Sequence, residues 1–295
     1  MQNDNLKSYL HLHVIVFIWG FTAILGELIS LDALPLVWFR MLMAVGFIVL
    51  FLFYKKTDFI IPRKIILTFL FLGLVIALHW LTFFKAIKVS TVSVTLACLS
   101  TGAFFASFLE PILYKRKVVW YEVFFGLLVV GGLYIIFNFE GEYYFGIILA
   151  LISAFLSALF SVINGKYAKM YDASVISFYE LSGGVLFFSV YLFATNSFSK
   201  EFFMLQPFDW IYLIILSSIC TAYAFIASVK VMKFISPYTV MLTINLEPIY
   251  GILLALLIFK DKEKMSPEFY IGAILILITV IVNGIIKYRL KNRRD

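Results

Sequence analysis

Ten apolar stretches follow one another along the chain with short polar breaks between them. Each is close to the ~20 residues an α-helix needs to cross ~30 Å of hydrocarbon. They fall at roughly 12–31, 34–54, 65–85, 89–114, 120–138, 143–166, 174–194, 210–231, 237–259 and 269–288. Helices are expected, because backbone polar groups in lipid must be satisfied within the segment that carries them. The stretches divide into two halves of five, a first repeat over about 12–138 and a second over about 143–288. Residues 88–137 map onto 234–283 at a spacing of 146, pairing Ser90 with Ser236, Val94 with Val240, Leu96 with Leu242, Glu122 with Glu268 and Gly126 with Gly272. The second and seventh stretches align at a spacing of 140, pairing Val45 with Val185 and Phe47 with Phe187. Five is odd, so the second half enters the membrane from the opposite side. The expected fold is an all-α membrane protein, ten transmembrane helices arranged as two inverted five-helix repeats within a single integral membrane domain over 1–295.

Composition agrees with the pattern. With 63% hydrophobic residues, 14% charged ones and a mean hydropathy of +1.01, a soluble domain would carry more apolar surface than it could bury. The formal charge of +7 and pI near 9.2 do not mark a nucleic-acid binder, because the basic residues flank the stretches and form no soluble patch. Their distribution sets topology. The N-tail, alternate loops and C-tail carry 17 Lys and Arg against 6 on the other side, with Arg40 inside the second stretch. This places both termini in the cytoplasm and the protein in the plasma (inner) membrane, with Lys260, Lys262 and Lys264 running against the trend. Lys287 to Arg294 reads as a topological anchor. No small-x-small cleavage site follows the first apolar run, so that span is expected to stay uncleaved. Cys98 and Cys220 lie inside apolar runs, where core packing is expected and neither a disulfide framework nor a metal site is.

The first span and its exit read Trp19-Gly20-Phe21-Thr22-Ala23-Ile24-Leu25-Gly26-Glu27, then Pro35-Leu36-Val37-Trp38-Phe39-Arg40 and Ala44. The ninth opens at Ser236-Pro237, carries Leu246-Glu247-Pro248 at mid-length and runs on to Phe259. This arrangement resembles the EamA-like branch of the drug/metabolite transporter superfamily over nearly the whole chain. The resemblance implies a ten-helix carrier of small organic solutes, often an exporter of amino acids or related metabolites and sometimes proton-coupled. Two positions depart from it: Glu27 stands where the family often has Lys, and Gly102 matches Pro248 in the first repeat.

Charge inside a membrane is costly, so depth ranks the candidates. Glu247 lies ten residues into its span, roughly 15 Å at ~1.5 Å per residue and near the midplane. Pro248 removes a backbone donor beside it, so freed carbonyls line a cavity with Thr243 and Asn245. Glu247 is therefore expected to bind solute and couple a proton, against the plainer reading of a hydrogen-bonded carboxyl that steadies a disturbed helix. Glu27 and Arg40 are expected to pair as an outer gate or a structural ion pair. Glu180, at Arg40's place in the second repeat, is expected to reach Lys166 or Lys169 as the mirror-image inner gate. Glu110 reads as an interfacial anchor beside Lys115 to Lys117. His79, Trp19 and Tyr223 complete the expected solute site, with a satisfied bundle histidine and simple ring packing as the alternatives. Ala150, Ala154 and Ala158, with Ser153, Ser157 and Ser161, form small-residue stripes for close helix packing.

Other function classes fit less well. There is one intramembrane His and no G-x-S-x-G, H-E-x-x-H, Walker or cysteine-cluster pattern, which argues against an enzyme or an ATP-driven pump. The expectation is a secondary carrier with alternating access, an exporter of small amphiphilic or amino-acid-like metabolites that needs no cofactor. An ungated channel or a membrane scaffold is the alternative. Proton coupling and a homodimer are both compatible with the residues.

Overall fold

Short local signals start and stop the helices. In the computed structural model, which describes residues 2–115, 120–235 and 237–291, three helices of the second half open on proline, at Pro207, Pro237 and Pro267. There the missing N–H would have had no partner in any case. Thr91 caps its helix by accepting from the Val94 N–H at 3.1 Å. Lys56 and Lys115 end theirs in the left-handed region, at φ 52° and 54°.

The elements run α1 (Gln2–Leu28), α2 (Ala33–Lys55), α3 (Arg63–Val89), α4 (Val92–Leu99), α5 (Gly102–Tyr114), α6 (Trp120–Phe139), α7 (Tyr144–Tyr167) and α8 (Ala173–Ala194). They continue with α9 (Pro207–Ser217), a π-helical turn (Ser218–Tyr223), α10 (Ala224–Val231), α11 (Pro237–Ile244), α12 (Glu247–Phe259) and α13 (Pro267–Lys291). Each of the ten apolar stretches is helical, but three are interrupted. The fourth breaks at Ser100–Thr101, the eighth passes through the π turn, and the ninth breaks at Asn245–Leu246.

Seven helical stretches among the described residues are long and apolar enough to cross a bilayer, and Phe124–Asn138 and Pro267–Asn283 are shorter apolar helices. The ninth stretch, made of α11 and α12, is not among the seven. The count of long spans among the described residues is below the ten expected. Leu50, Phe53, Leu67, Phe71, Phe193 and Leu257 are among many large apolar side chains turned outward, as lipid contact requires. Arg116, Lys117, Ser236 and the basic residues beyond Lys291 lie outside the described residues.

Lipid gives helices no hydrophobic reason to associate, so close backbone approach has to hold them. A Cβ added to Gly73 in α3 would sit 2.0 Å from the Glu180 carbonyl oxygen in α8, and one on Gly183 would sit 2.4 Å from the Leu70 carbonyl oxygen. Gly132 and Gly272 seat α6 against α13 in the same way. Ala150, Ser153, Ala154 and Ala158 are fully buried along α7.

The packing partners occur in matched pairs. Helix α1 packs on α12 as α7 packs on α4 and α5; α3 packs on α7 as α10 packs on α1; α3 packs on α8 as α2 packs on α9. The breaks match too, since α4 and α11 are both 8 residues and α5 and α12 both 13.

Candidate functional site

Helices α1, α2, α3, α7 and α10, together with the break between α11 and α12, enclose a cavity of about 710 Å³ of atom-free space, its mouth included. Among its walls are Trp19, Arg40, His79, Trp80, Asn164 and Glu247, with Phe83, Phe160 and Phe225 supplying apolar surface. Arg40 and Glu247 are the charged residues of the lining, and each feels the other's charge.

Glu247 is 6% exposed and opens α12, the second half of the broken ninth stretch. There the carboxyl meets the positive end of a helix, and Pro248 next to it contributes no competing donor. Asn245 is buried in the same break with its Nδ2 unpartnered, and Thr243 lies one residue before the end of α11. Neither is part of the cavity wall, which the break reaches through Ile244 and Glu247.

Arg40 is 1% exposed. Its Nε donates to the Thr221 hydroxyl at 2.7 Å, and its guanidinium carbon lies 3.8 Å from the centre of the Trp80 ring. The expected pair with Glu27 does not form. Glu27 instead meets Lys262, at the far end of α12, because α1 packs beside α12 and carries Glu27 toward that loop. The π turn accounts for the Arg40 partner. It leaves the Leu216 carbonyl for the Thr221 hydroxyl at 2.6 Å, turning Thr221 toward Arg40, and it offers the Cys220 carbonyl to the Trp19 indole N–H at 3.2 Å.

His79 lies on the cavity wall with Nδ1 2.8 Å from the Ser153 hydroxyl and 2.9 Å from the Ser153 carbonyl oxygen. Tyr223 points out of the bundle: it is 47% exposed and its hydroxyl is 2.8 Å from His11 Nε2. The π turn shifts it off the inner face. Glu180 is 0% exposed and accepts from Asn164 Nδ2 at 3.1 Å, so its partner is Asn164 and not Lys166 or Lys169, which sit beyond the end of the buried segment. Glu110 is also buried.

At the end of the bundle away from the chain termini, polar contacts close the structure. Besides Glu27 and Lys262, Lys88 donates to the Ile29 carbonyl at 2.6 Å, and Asp209 accepts from the Ser30 N–H at 2.8 Å and from its hydroxyl at 2.5 Å. The cavity itself reaches the other way, as far as Met232 and Val240. Asn164 was legible in principle, as an amide just inside the end of an apolar span. Thr221 was not, because only the π turn aims it.

A membrane-embedded helical bundle with paired halves and a charged internal cavity has the build of a transport protein. The EamA-like transporter family matches this chain over residues 6–138 and 144–285, and the chain belongs to that family, within the drug/metabolite transporter superfamily. Members of the family are transporters, not enzymes, and this chain is an integral membrane protein of that kind. A solved structure titled only as the crystal structure of a protein shares the fold, with a TM-score of 0.70 and 14% identity over 95% of this chain and 98% of that one. No curated protein matches the chain.

Proposed function

We propose that this protein is a secondary carrier that works by alternating access, exporting small amphiphilic, amino-acid-like metabolites across the plasma (inner) membrane with both termini in the cytoplasm. In this reading all ten helical stretches cross the bilayer, and residues 1–295 form one integral membrane domain whose repeats, about 12–138 and 143–288, are inverted copies. The observation that carries the reading is a charged cavity shut at one end and extended toward the other. Matched packing pairs and matched helix breaks support two interchangeable halves, which is what opening to alternate sides requires.

Glu247, at the mouth of a half-helix and in the cavity wall, is the proposed proton-coupling group and a solute contact. Trp19 and His79 share its cavity, and Thr243 and Asn245 belong to the break that positions it. Glu27 with Lys262 forms the proposed gate at the end away from the termini, and Glu180 with Asn164 the gate at the other.

Reconstitution into liposomes tests the reading. A thermal-shift screen in detergent supplies a solute, and its uptake should saturate, show counterflow and respond to an imposed pH gradient. Flux rising linearly with concentration would indicate a channel, and no flux with a bound partner protein a scaffold. Wild-type pH response in Glu247→Gln would remove the proton role.

A further inference from the structure

A guanidinium in a membrane interior normally spends all its donors on protein groups, because an unmade charged hydrogen bond there is costly. Arg40 does not. Its Nε is bonded to Thr221, while Nη1 is buried with no partner, and no carboxylate among the described residues lies within ion-pair distance of it. The group is also fixed in orientation. Trp80 lies flat beneath it, Phe84 stands 5.4 Å from it, and Thr221 is itself pinned to the Leu216 carbonyl. The result is an oriented guanidinium fork with a free Nη1 in the wall of a cavity that also presents Trp80, Phe83, Phe160 and Phe225, a group suited to a planar carboxylate.

The lining also limits the ligand's charge. Among the described residues Arg40 is its one cation and Glu247 its one carboxylate. A dianion would meet more negative than positive charge there, whereas a monoanion balances Arg40 whenever Glu247 carries a proton. We propose that Arg40 anchors the carboxylate of the transported solute, a small organic monoanion with an apolar body that packs against Phe83, Phe160 and Phe225. This rests on the carrier reading for its place in transport, but binding alone tests it.

The probes are 3-phenylpropionate, its neutral amide 3-phenylpropanamide, and phenylalanine, each titrated into the purified full chain in detergent by calorimetry. The acid should bind saturably and the amide at least about tenfold more weakly, since a site built for a charged partner rejects the neutral isostere. Arg40→Lys should weaken the acid about tenfold by losing the fork, Arg40→Gln more, and Thr221→Val several-fold by releasing the guanidinium. Glu247→Gln, which removes the competing carboxylate, should tighten it. Equal binding of acid and amide, no binding of the acid, binding of phenylalanine alone, or wild-type affinity in both Arg40→Gln and Thr221→Val would each overturn the proposal. The two readings fail separately. Acid binding without any flux removes the carrier and keeps the anion site, while saturable flux of a cation undiminished by Arg40→Gln does the reverse.

Discussion

The carboxylate of Glu263, in the loop after α12, caps α4 in the opposite half of the molecule at Ser93: it accepts from the Ser93 N–H at 2.9 Å and from the Ser93 hydroxyl at 2.8 Å. Its other oxygen accepts from the Val92 N–H at 3.0 Å, and the side chain is buried. One charge from the second repeat therefore satisfies the open N-terminus of a half-helix in the first. The residue at the matching place in the first repeat is Lys117, which has no acceptor to offer.

Removing that cap should loosen the closed end. Glu263→Ala is expected to cost about 1–3 kcal/mol, the range for losing a buried helix cap, and Glu263→Gln less. The fall in thermal midpoint of the purified protein measures it, and an unchanged midpoint in Glu263→Ala would show that the cap contributes nothing.

The neighbouring ion pair should behave differently. Lys262 is largely exposed, so Lys262→Ala is expected to change stability by less than about 1 kcal/mol. If the pair latches the closed end, a cysteine placed at Ser30 should nonetheless react faster with a membrane-impermeant thiol reagent in that variant than in the wild-type background.

Helix contact in lipid depends on the missing side chain at Gly73. Gly73→Ala places a methyl against the Glu180 carbonyl and 2.8 Å from the Gly184 nitrogen, both backbone atoms that cannot rotate away. A loss of about 2–4 kcal/mol is expected, at or above the usual cost of overpacking because backbone has to move. Gly46→Ala meets nothing within 4 Å and should be neutral or slightly stabilising. Unfolding in mixed micelles compares the two.

The start of α8 carries a pH-dependent contribution. Burial alone would raise the Asp172 carboxyl, but the Ser174 hydroxyl and its N–H at 2.9 Å outweigh burial and hold it below the ordinary carboxylate value. A carboxylate depressed by folding stabilises above its unfolded value of about 3.9, and that contribution disappears as pH falls toward the lower folded value. The protection of first-turn α8 amides against hydrogen exchange, relative to their intrinsic rates, should therefore fall below about pH 4. Asp172→Ala should abolish the dependence and cost about 1 kcal/mol at neutral pH.

Much of the fold was written in the chain. Apolar length bounded by prolines and charge placed many of the helices to within a few residues: the expected 34–54 and 174–194 are observed as Ala33–Lys55 and Ala173–Ala194. The first, expected from 12, begins at Gln2 because its polar lead-in is helical too. The Glu247–Pro248 pair marked the break in the ninth stretch, because proline cannot complete the helical ladder. Arg40, His79 and Glu247, polar groups that the sequence places inside spans, are all buried.

Only the tertiary structure decided which groups meet. In lipid a helix is apolar on every face, so periodicity does not say which side turns inward, and Tyr223 faces out while Thr221, two residues away, faces in. The break at Ser100–Thr101 has no proline to announce it. Glu27 found Lys262 and Arg40 found Thr221 because partners came from helices far apart in sequence. Span length and side-chain cost are local properties that a sequence states directly, whereas the identity of a neighbour depends on how all the helices pack at once.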